Sequence, residues 1–339
     1  MKYFVNSTGV WDDPNCIKKG SCVNGTGWWY WGNAAHILAD SQRYASDYHD
    51  YKWAFDIIFT KNQDLFTRAD YFDDEGWWGL ALLRFYQVTN NRTYLDQAKR
   101  IADDMKHRGG QSVCGNGGIF WDSAETQVGA IANELFISLC ARIALLDDPD
   151  GTYKNYAIDT WNWLNSSKLI PSNNLVVDHY NIINKTVCGD LVKWTFTYTN
   201  GVILSGLIDL YQLTNDTAYS VKAGRIARVA MSRFAPNGYI NDDFSGNPKS
   251  LAEDGFLFKG IFTQNLAYLA QKTKDMTLKL EISGLLIANY QLLTFNQGTG
   301  NLYGYLWEKS VGGDNPADIV THLSALYLID SIIQLKTPY

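Results

Sequence analysis

Basic runs, long apolar runs and clustered metal ligands are all missing from this sequence, and each absence removes a class of function. Its 29 Lys and Arg are outnumbered by 35 Asp and Glu and are scattered along the chain. A nucleic-acid backbone needs a basic stripe, and none is present. No stretch approaches the ~20 apolar residues of a membrane span. Only 5 His occur, and no Cys/His spacing resembles a zinc site, so neither a metal nor another cofactor is expected. Met1-Lys2-Tyr3-Phe4-Val5 runs at once into Asn6-Ser7-Thr8, without the apolar core of a signal peptide. Strictly alternating runs are scarce too, which argues against a strand-built fold.

Aromatic residues, by contrast, are abundant: 12 Trp and 21 Tyr in 339 residues. Their flat apolar faces and polar edges suit either a large core or the face of a sugar ring. Asn-x-Ser/Thr occurs at Asn6, Asn24, Asn91, Asn165, Asn184 and Asn215, mostly where loops or helix ends are expected. Among the 5 cysteines, Cys16 and Cys22 share a short polar segment where a small disulfide loop is plausible. Cys114 and Cys188 sit in separate Gly-containing loops and could form a longer bridge, while Cys140 reads as a buried free thiol. Together these features lead us to expect a secreted or cell-wall-associated protein.

Helical periodicity dominates, and it falls into pairs. One helix of each pair is rich in small residues and follows an aromatic or acidic loop; these span roughly 28–49, 73–90, 125–147, 195–215, 251–274 and 315–335. The other is amphipathic: roughly 51–63, 92–108, 152–168, 217–234 and 278–295. Short Gly or Asn-containing loops such as Gly117-Gly118-Ile119-Phe120-Trp121 and Asn237-Gly238-Tyr239-Ile240 follow the second helix. A unit recurring at about 50–60 residues reads as a ring of helical hairpins. The expectation is an all-α (α/α)6 barrel, one domain over residues 1–339, with Tyr3-Phe4-Val5 as the tail of a truncated first helix. Glycines crowd the first kind of helix although each costs up to about 1 kcal/mol of helix propensity, which implies close packing around an axis.

Asp73-Asp74-Glu75-Gly76-Trp77-Trp78 opens one of these inner helices. A single acid there would suit the free N–H groups and the helix dipole. Two in succession, beside Tyr71 and a Trp pair, exceed what capping requires. Glycoside hydrolysis uses two carboxyl groups, held about 5–5.5 Å apart in retaining enzymes, a separation that neighbouring residues can reach. Mutual repulsion would keep one protonated as the acid.

The run Tyr-Phe-Asp-Asp-Glu-Gly-Trp-Trp-Gly-Leu-Ala-Leu-Leu from Tyr71 onward resembles the signature of glycoside hydrolase family 76, the endo-α-1,6-mannanases and their fungal cell-wall relatives. Thr8 to Trp11, Trp28 to Ala35, Cys114 to Trp121, Ala130 to Phe136, Lys193 to Val202 and Phe258 to Phe262 resemble further family segments, in family order. The resemblance implies the (α/α)6 barrel, a retaining mechanism without a metal, Asp73 as nucleophile and Asp74 as acid/base. The expected partner is an α-mannan or manno-oligosaccharide. Two departures are visible: the family's first helix is almost absent, and the loops near Asp242-Asp243 and Glu253-Asp254 lack the cysteine common among relatives. Both bear on the length of substrate accepted.

Asp178 resembles a further loop acid that the family uses to hold the sugar; alone it reads equally as an Asx-turn residue. Trp121 and Asp122 close another loop of the same rim, and Trp77, Trp78, Trp121, Trp194 and Tyr198 are candidate stacking platforms. Asn33, Asn133 and Asn200 lie near inner-helix starts, where an amide can bond sugar hydroxyls or a neighbouring helix. His179 reads as a hydrogen-bonded rim residue, and Lys259 as a sugar ligand or a solvated helix end. The alternatives are a transglycosylase acting on α-mannosyl glycoconjugates through the same intermediate, or a mannan-binding protein without catalysis. A sugar epimerase on this fold would require core histidines, and only His36 and His322 fall on inner helices.

Overall fold

The computed structural model describes residues 4–11, 27–44, 50–110, 114–115, 117–242 and 254–336. Eleven helices are present among them: α1 (Trp28–Tyr44), α2 (Lys52–Asn62), α3 (Phe72–Thr89), α4 (Arg92–Gly109), α5 (Ala130–Leu146), α6 (Thr152–Ser166), α7 (Thr197–Thr214), α8 (Thr217–Phe234), α9 (Gly255–Lys272), α10 (Met276–Phe295) and α11 (Ile319–Lys336). Each matches one expected helix, six of the small-residue kind and five amphipathic. Burial explains the two kinds. In α5 every residue from Ala130 to Ile143 is buried, whereas α6 buries only Tyr153, Ala157, Thr160, Trp161 and Leu164 along one stripe.

The chain divides into two compact units, Met1–Ser166 with His179–Val192, and Ser167–Asp178 with Lys193–Tyr339. In the first, α1 packs on α3, α3 on α4 and α5, and α5 on α6. A Cβ added at Gly76 on α3 would meet the Leu135 Cβ of α5 at 2.7 Å, so only glycine allows this approach. In the second, α7 packs on α8 and α9, and α9 on α10 and α11. There a Cβ at Gly260 would lie 2.6 Å from the Ser324 backbone of α11.

Loops are tied down by one recurring device, an asparagine amide clamping a loop peptide. Asn133 accepts from Ile119 N (2.7 Å) and donates to Ile119 O (3.0 Å). Asn200 does the same to Val176, at 2.9 and 3.2 Å. Asn289 accepts from Ile240 N (2.8 Å) and donates to Gly238 O (3.1 Å). A planar amide offers donor and acceptor together, so one side chain satisfies both edges of a buried peptide. The helix turns are equally local: Asn90 and Asn215 end α3 and α7 at positive φ (56° and 58°), and Asn91 and Asp216 cap α4 and α8.

Strands are the departure from expectation. Phe4–Val5 (β1) pairs antiparallel with Val10–Trp11 (β2), so this stretch is not the tail of a helix; Tyr3 lies outside the described residues. Gln127–Gly129 (β3), His179–Ile183 (β4) and Val187–Val192 (β5) form an antiparallel sheet in the order β3-β4-β5. The bridge Cys114–Cys188 forms as expected and joins a loop of the first unit to β5. Cys140 is free and buried, and burial raises its thiol well above its ordinary value. Cys16, Cys22 and Asn24 lie outside the described residues. Among those residues no helix is long and apolar enough to cross a membrane.

Candidate active site

The first turn of α3 owes its position to the loop at Trp121. No side chain caps this helix. Instead Phe72 N donates to Trp121 O at 2.8 Å, Tyr71 and Asp122 form an antiparallel bridge, and Ser123 N donates to Asp70 O at 2.8 Å. A backbone carbonyl thus takes the first N–H of the helix, so no aspartate is needed for that bond.

Asp73 and Asp74 are both half-buried at this turn. Asp73 Oδ2 accepts from the Trp121 indole Nε1 at 2.9 Å, and its Oδ1 accepts from the backbone N–H of Asp74 at 3.0 Å. Both of its oxygens therefore receive a donor, an arrangement that favours the ionised form. Tyr71, 42% exposed, lies with its ring 4.5 Å from that of Trp121 and adds an aromatic surface beside the pair. Burial, and then the charges of Asp122, Asp74, Asp70 and Asp73, raise the Tyr71 hydroxyl above its ordinary value, so it stays protonated.

Glu75, the third acid of the run, turns inward and is 0% exposed. Its Oε1 accepts from Arg108 Nη2 of α4 at 2.5 Å. The same nitrogen contacts Asp104 Oδ2 at 2.6 Å and donates to Thr67 O at 3.2 Å, and the guanidinium lies over the Phe72 ring at 5.0 Å. Burial first, and then Asp104, push Glu75 up to about 9, against the opposing pull of Arg108 and the Ala69 backbone. Sequence reasoning passed over Glu75 and Arg108. The available signal was spacing: Glu75 lies three residues before Trp78, four before Gly79 and seven before Leu82, all buried.

Several expected sugar-binding residues serve the fold instead. Trp78 is 0% exposed; its indole donates to Trp28 O at 3.1 Å, and its ring packs against Trp28 and Phe66. Trp77, 4% exposed, packs against Trp29. Neither offers a ring face to a substrate. Asp122 is buried and accepts from Thr126 N (2.7 Å) and Thr126 Oγ1 (2.6 Å), closing the turn behind Trp121. Asn133 is committed to the Ile119 peptide, and Asn33, also buried, donates to Trp29 O at 2.9 Å.

In the second unit Asp178 is half-buried, two residues after the Val176 peptide that Asn200 clamps. Trp194 is 64% exposed. Tyr198, half-buried, stacks on Phe258 with centroids 3.9 Å apart. Lys259 is neither a sugar ligand nor a solvated end. It is 0% exposed, donates to Asn241 Oδ1 at 2.8 Å, and lies over the rings of Tyr305 and Trp307 at 4.3 and 4.2 Å. Burial lowers it to about 7 against the charges of Glu308 and Asp242. In the first unit His179 is buried, with Nε2 3.2 Å from Asn181 Oδ1.

Comparison with known proteins agrees with this geometry. The model of Glycosyl hydrolase family 76 matches residues 1–338. The mannan endo-1,6-alpha-mannosidase DFG5 of Candida albicans is 24% identical over 306 residues, 81% of this chain and 66% of that protein. Across the first curated relatives the chain spans 48–66% of their length. Among solved structures, the GH76A α-1,6-mannanase of Salegentibacter sp. HEL1_6 superposes with a TM-score of 0.82 at 21% identity, over 98% of this chain and 96% of that one. An inactive variant of that enzyme, with two consecutive aspartates changed to asparagine, was solved with α-1,6-mannotriose (TM-score 0.81, 22% identity, covering 98% and 96%). The fold is thus the all-α helical barrel of these structures, and the chain belongs to Glycosyl hydrolase family 76.

Proposed function

We propose that the protein is a retaining endo-α-1,6-mannanase that hydrolyses the backbone of α-mannan through a covalent mannosyl-enzyme intermediate. The observation that carries this reading is the pair Asp73-Asp74 at a backbone-capped helix start, with Asp73 held by the Trp121 indole. Asp73 attacks the anomeric carbon as Asp74 protonates the departing glycosidic oxygen. Asp74 then takes a proton from water, which displaces Asp73 and releases the sugar. Two fixed donors on Asp73 suit a carboxylate that must stay ionised until attack. The Salegentibacter enzyme made inactive at two consecutive aspartates supports the same pair here.

The family match over residues 1–338 supports one catalytic domain. Tyr71 and Trp121 supply an aromatic surface beside Asp73, and Trp194, Tyr198 and Asp178 are the further candidates for mannosyl contacts. The Cys114–Cys188 bridge and the exposed sequon residues Asn91, Asn165, Asn184 and Asn215 support an extracellular, glycosylated protein. The test is incubation of debranched α-1,6-mannan with wild type, Asp73→Asn and Asp74→Asn, with and without an added mannoside acceptor. Hydrolysis by wild type alone supports the proposal. Turnover by either variant defeats the assignment, and products joined to the acceptor in place of reducing ends would indicate the transglycosylase.

A further inference from the structure

Three acids stand in succession at the start of α3, yet only two meet solvent. The third, Glu75, shares the Arg108 guanidinium with Asp104: Arg108 Nη2 reaches Glu75 Oε1 at 2.5 Å and Asp104 Oδ2 at 2.6 Å, and Nε donates to Asp104 Oδ2 at 2.8 Å. Two carboxyl groups on one guanidinium leave one uncompensated negative charge if both are ionised. Glu75 is fully buried, so a negative charge there beyond the one that Arg108 balances would be strongly disfavoured. A proton on Glu75 removes that charge and makes the pair electrically neutral with Arg108.

We propose that Glu75 is a positioning residue that is protonated at neutral pH: it and Asp104 hold one proton between them on Arg108, and this lock fixes the turn that carries Asp73 and Asp74. The lock joins three pieces of chain. Glu75 belongs to the first turn of α3, Asp104 and Arg108 to the last turns of α4, and Thr67, whose carbonyl takes a further bond from Arg108, to the segment leading into α3. Phe72, buried under the guanidinium, closes it from the side. A neutral Glu75 also confines negative charge at this turn to the pair that meets solvent. An ionised Glu75 would raise the proton affinity of both neighbours.

The proposal rests on the reading of Asp73 and Asp74 as the reacting pair, and its test has one arm independent of that reading. Infrared difference spectra of wild type minus Glu75→Gln at neutral pH should show one protonated-carboxyl stretching band. In kinetics on α-1,6-mannan, Glu75→Ala should lose about 10²-fold in kcat with little change in KM, as for a displaced catalytic group. Glu75→Gln, an uncharged isostere of the protonated acid, should restore kcat to within about threefold of wild type. Absence of the band overturns the proton. A Glu75→Gln variant as slow as Glu75→Ala overturns the positioning role. If even wild type leaves mannan intact, the infrared arm still decides the proton, and the failure falls on the enzymatic reading.

Discussion

The starts of α3 and α7 face the same physical problem and solve it in opposite ways. At α3 the carbonyl of Trp121 takes the N–H of Phe72, and two aspartates remain half-buried at the surface. At α7 it is a carboxylate, Asp242, that accepts from Thr197 N and Thr197 Oγ1, both at 2.6 Å, and it is 6% exposed. One acid has been drawn into the fold; the other two have been kept out of it. At α3 a loop carbonyl takes the N–H that a buried carboxylate takes at α7, and the α3 acids stay where solvent reaches them.

The comparison breaks most sharply at the acids themselves. Asp73→Asn and Asp74→Asn should each lower kcat by about 10⁴-fold while leaving thermal unfolding nearly unchanged, read by reducing-end release and by circular dichroism. A large fall in melting temperature would mean that these acids serve the fold, as Asp242 does. Asp242→Ala should show the reverse: a loss of about 2 kcal/mol in urea unfolding, because a buried N–H and a hydroxyl lose their acceptor. If its unfolding midpoint matched wild type, Asp242 would not be the cap of α7.

Smaller effects sharpen the contrast. Trp121→Phe keeps the ring but deletes the N–H to Asp73; kcat should fall about tenfold, the worth of a hydrogen bond to a charged group, and an unchanged kcat would count against that bond. Asp242 titrates from an ordinary 3.8 up to about 6, raised by burial against the hydrogen bonds of Thr197 and the charges of Lys259 and Arg233. The folded chain then holds more protons than the unfolded chain between those values, so this group's contribution to stability falls as pH rises through 3.8–6. Asp242→Asn should flatten that part of the stability profile, and an identical slope would refute the shift. Trp194→Ala, at an exposed ring, should change stability by less than about 0.5 kcal/mol and act only on KM. A lower kcat at saturating mannan would remove Trp194 from a pure binding role.

How much of this could be read in the sequence depended on how local its cause was. The eleven helices were legible because small-residue and amphipathic periods repeat along the chain, and the Asn90-Asn91 and Asn215-Asp216 turns carry their own punctuation. The Cys114–Cys188 bridge was legible as a possibility. The β3-β4-β5 sheet was not: Gln127–Gly129 is three residues long and pairs with a strand some fifty residues away, so no local alternation announces it. Asn133 and Asn200 were recognised as significant, but their partners are loop peptides, which only the fold brings within reach. Only Gly76 separates Trp77 and Trp78 from the acids, yet helical rotation carries their rings into the packing with α1. Glu75 continues the run of acids begun by Asp73 and Asp74, and what sets it apart lies in Arg108, 33 positions away.

The most direct measurement is the anomeric form of the first product, followed by proton NMR while debranched α-1,6-mannan is cleaved. Double displacement at Asp73 with Asp74 as acid/base predicts that the α-anomeric reducing end forms first and mutarotates afterwards. A β-anomer formed first would mean a single displacement by water and would contradict the account.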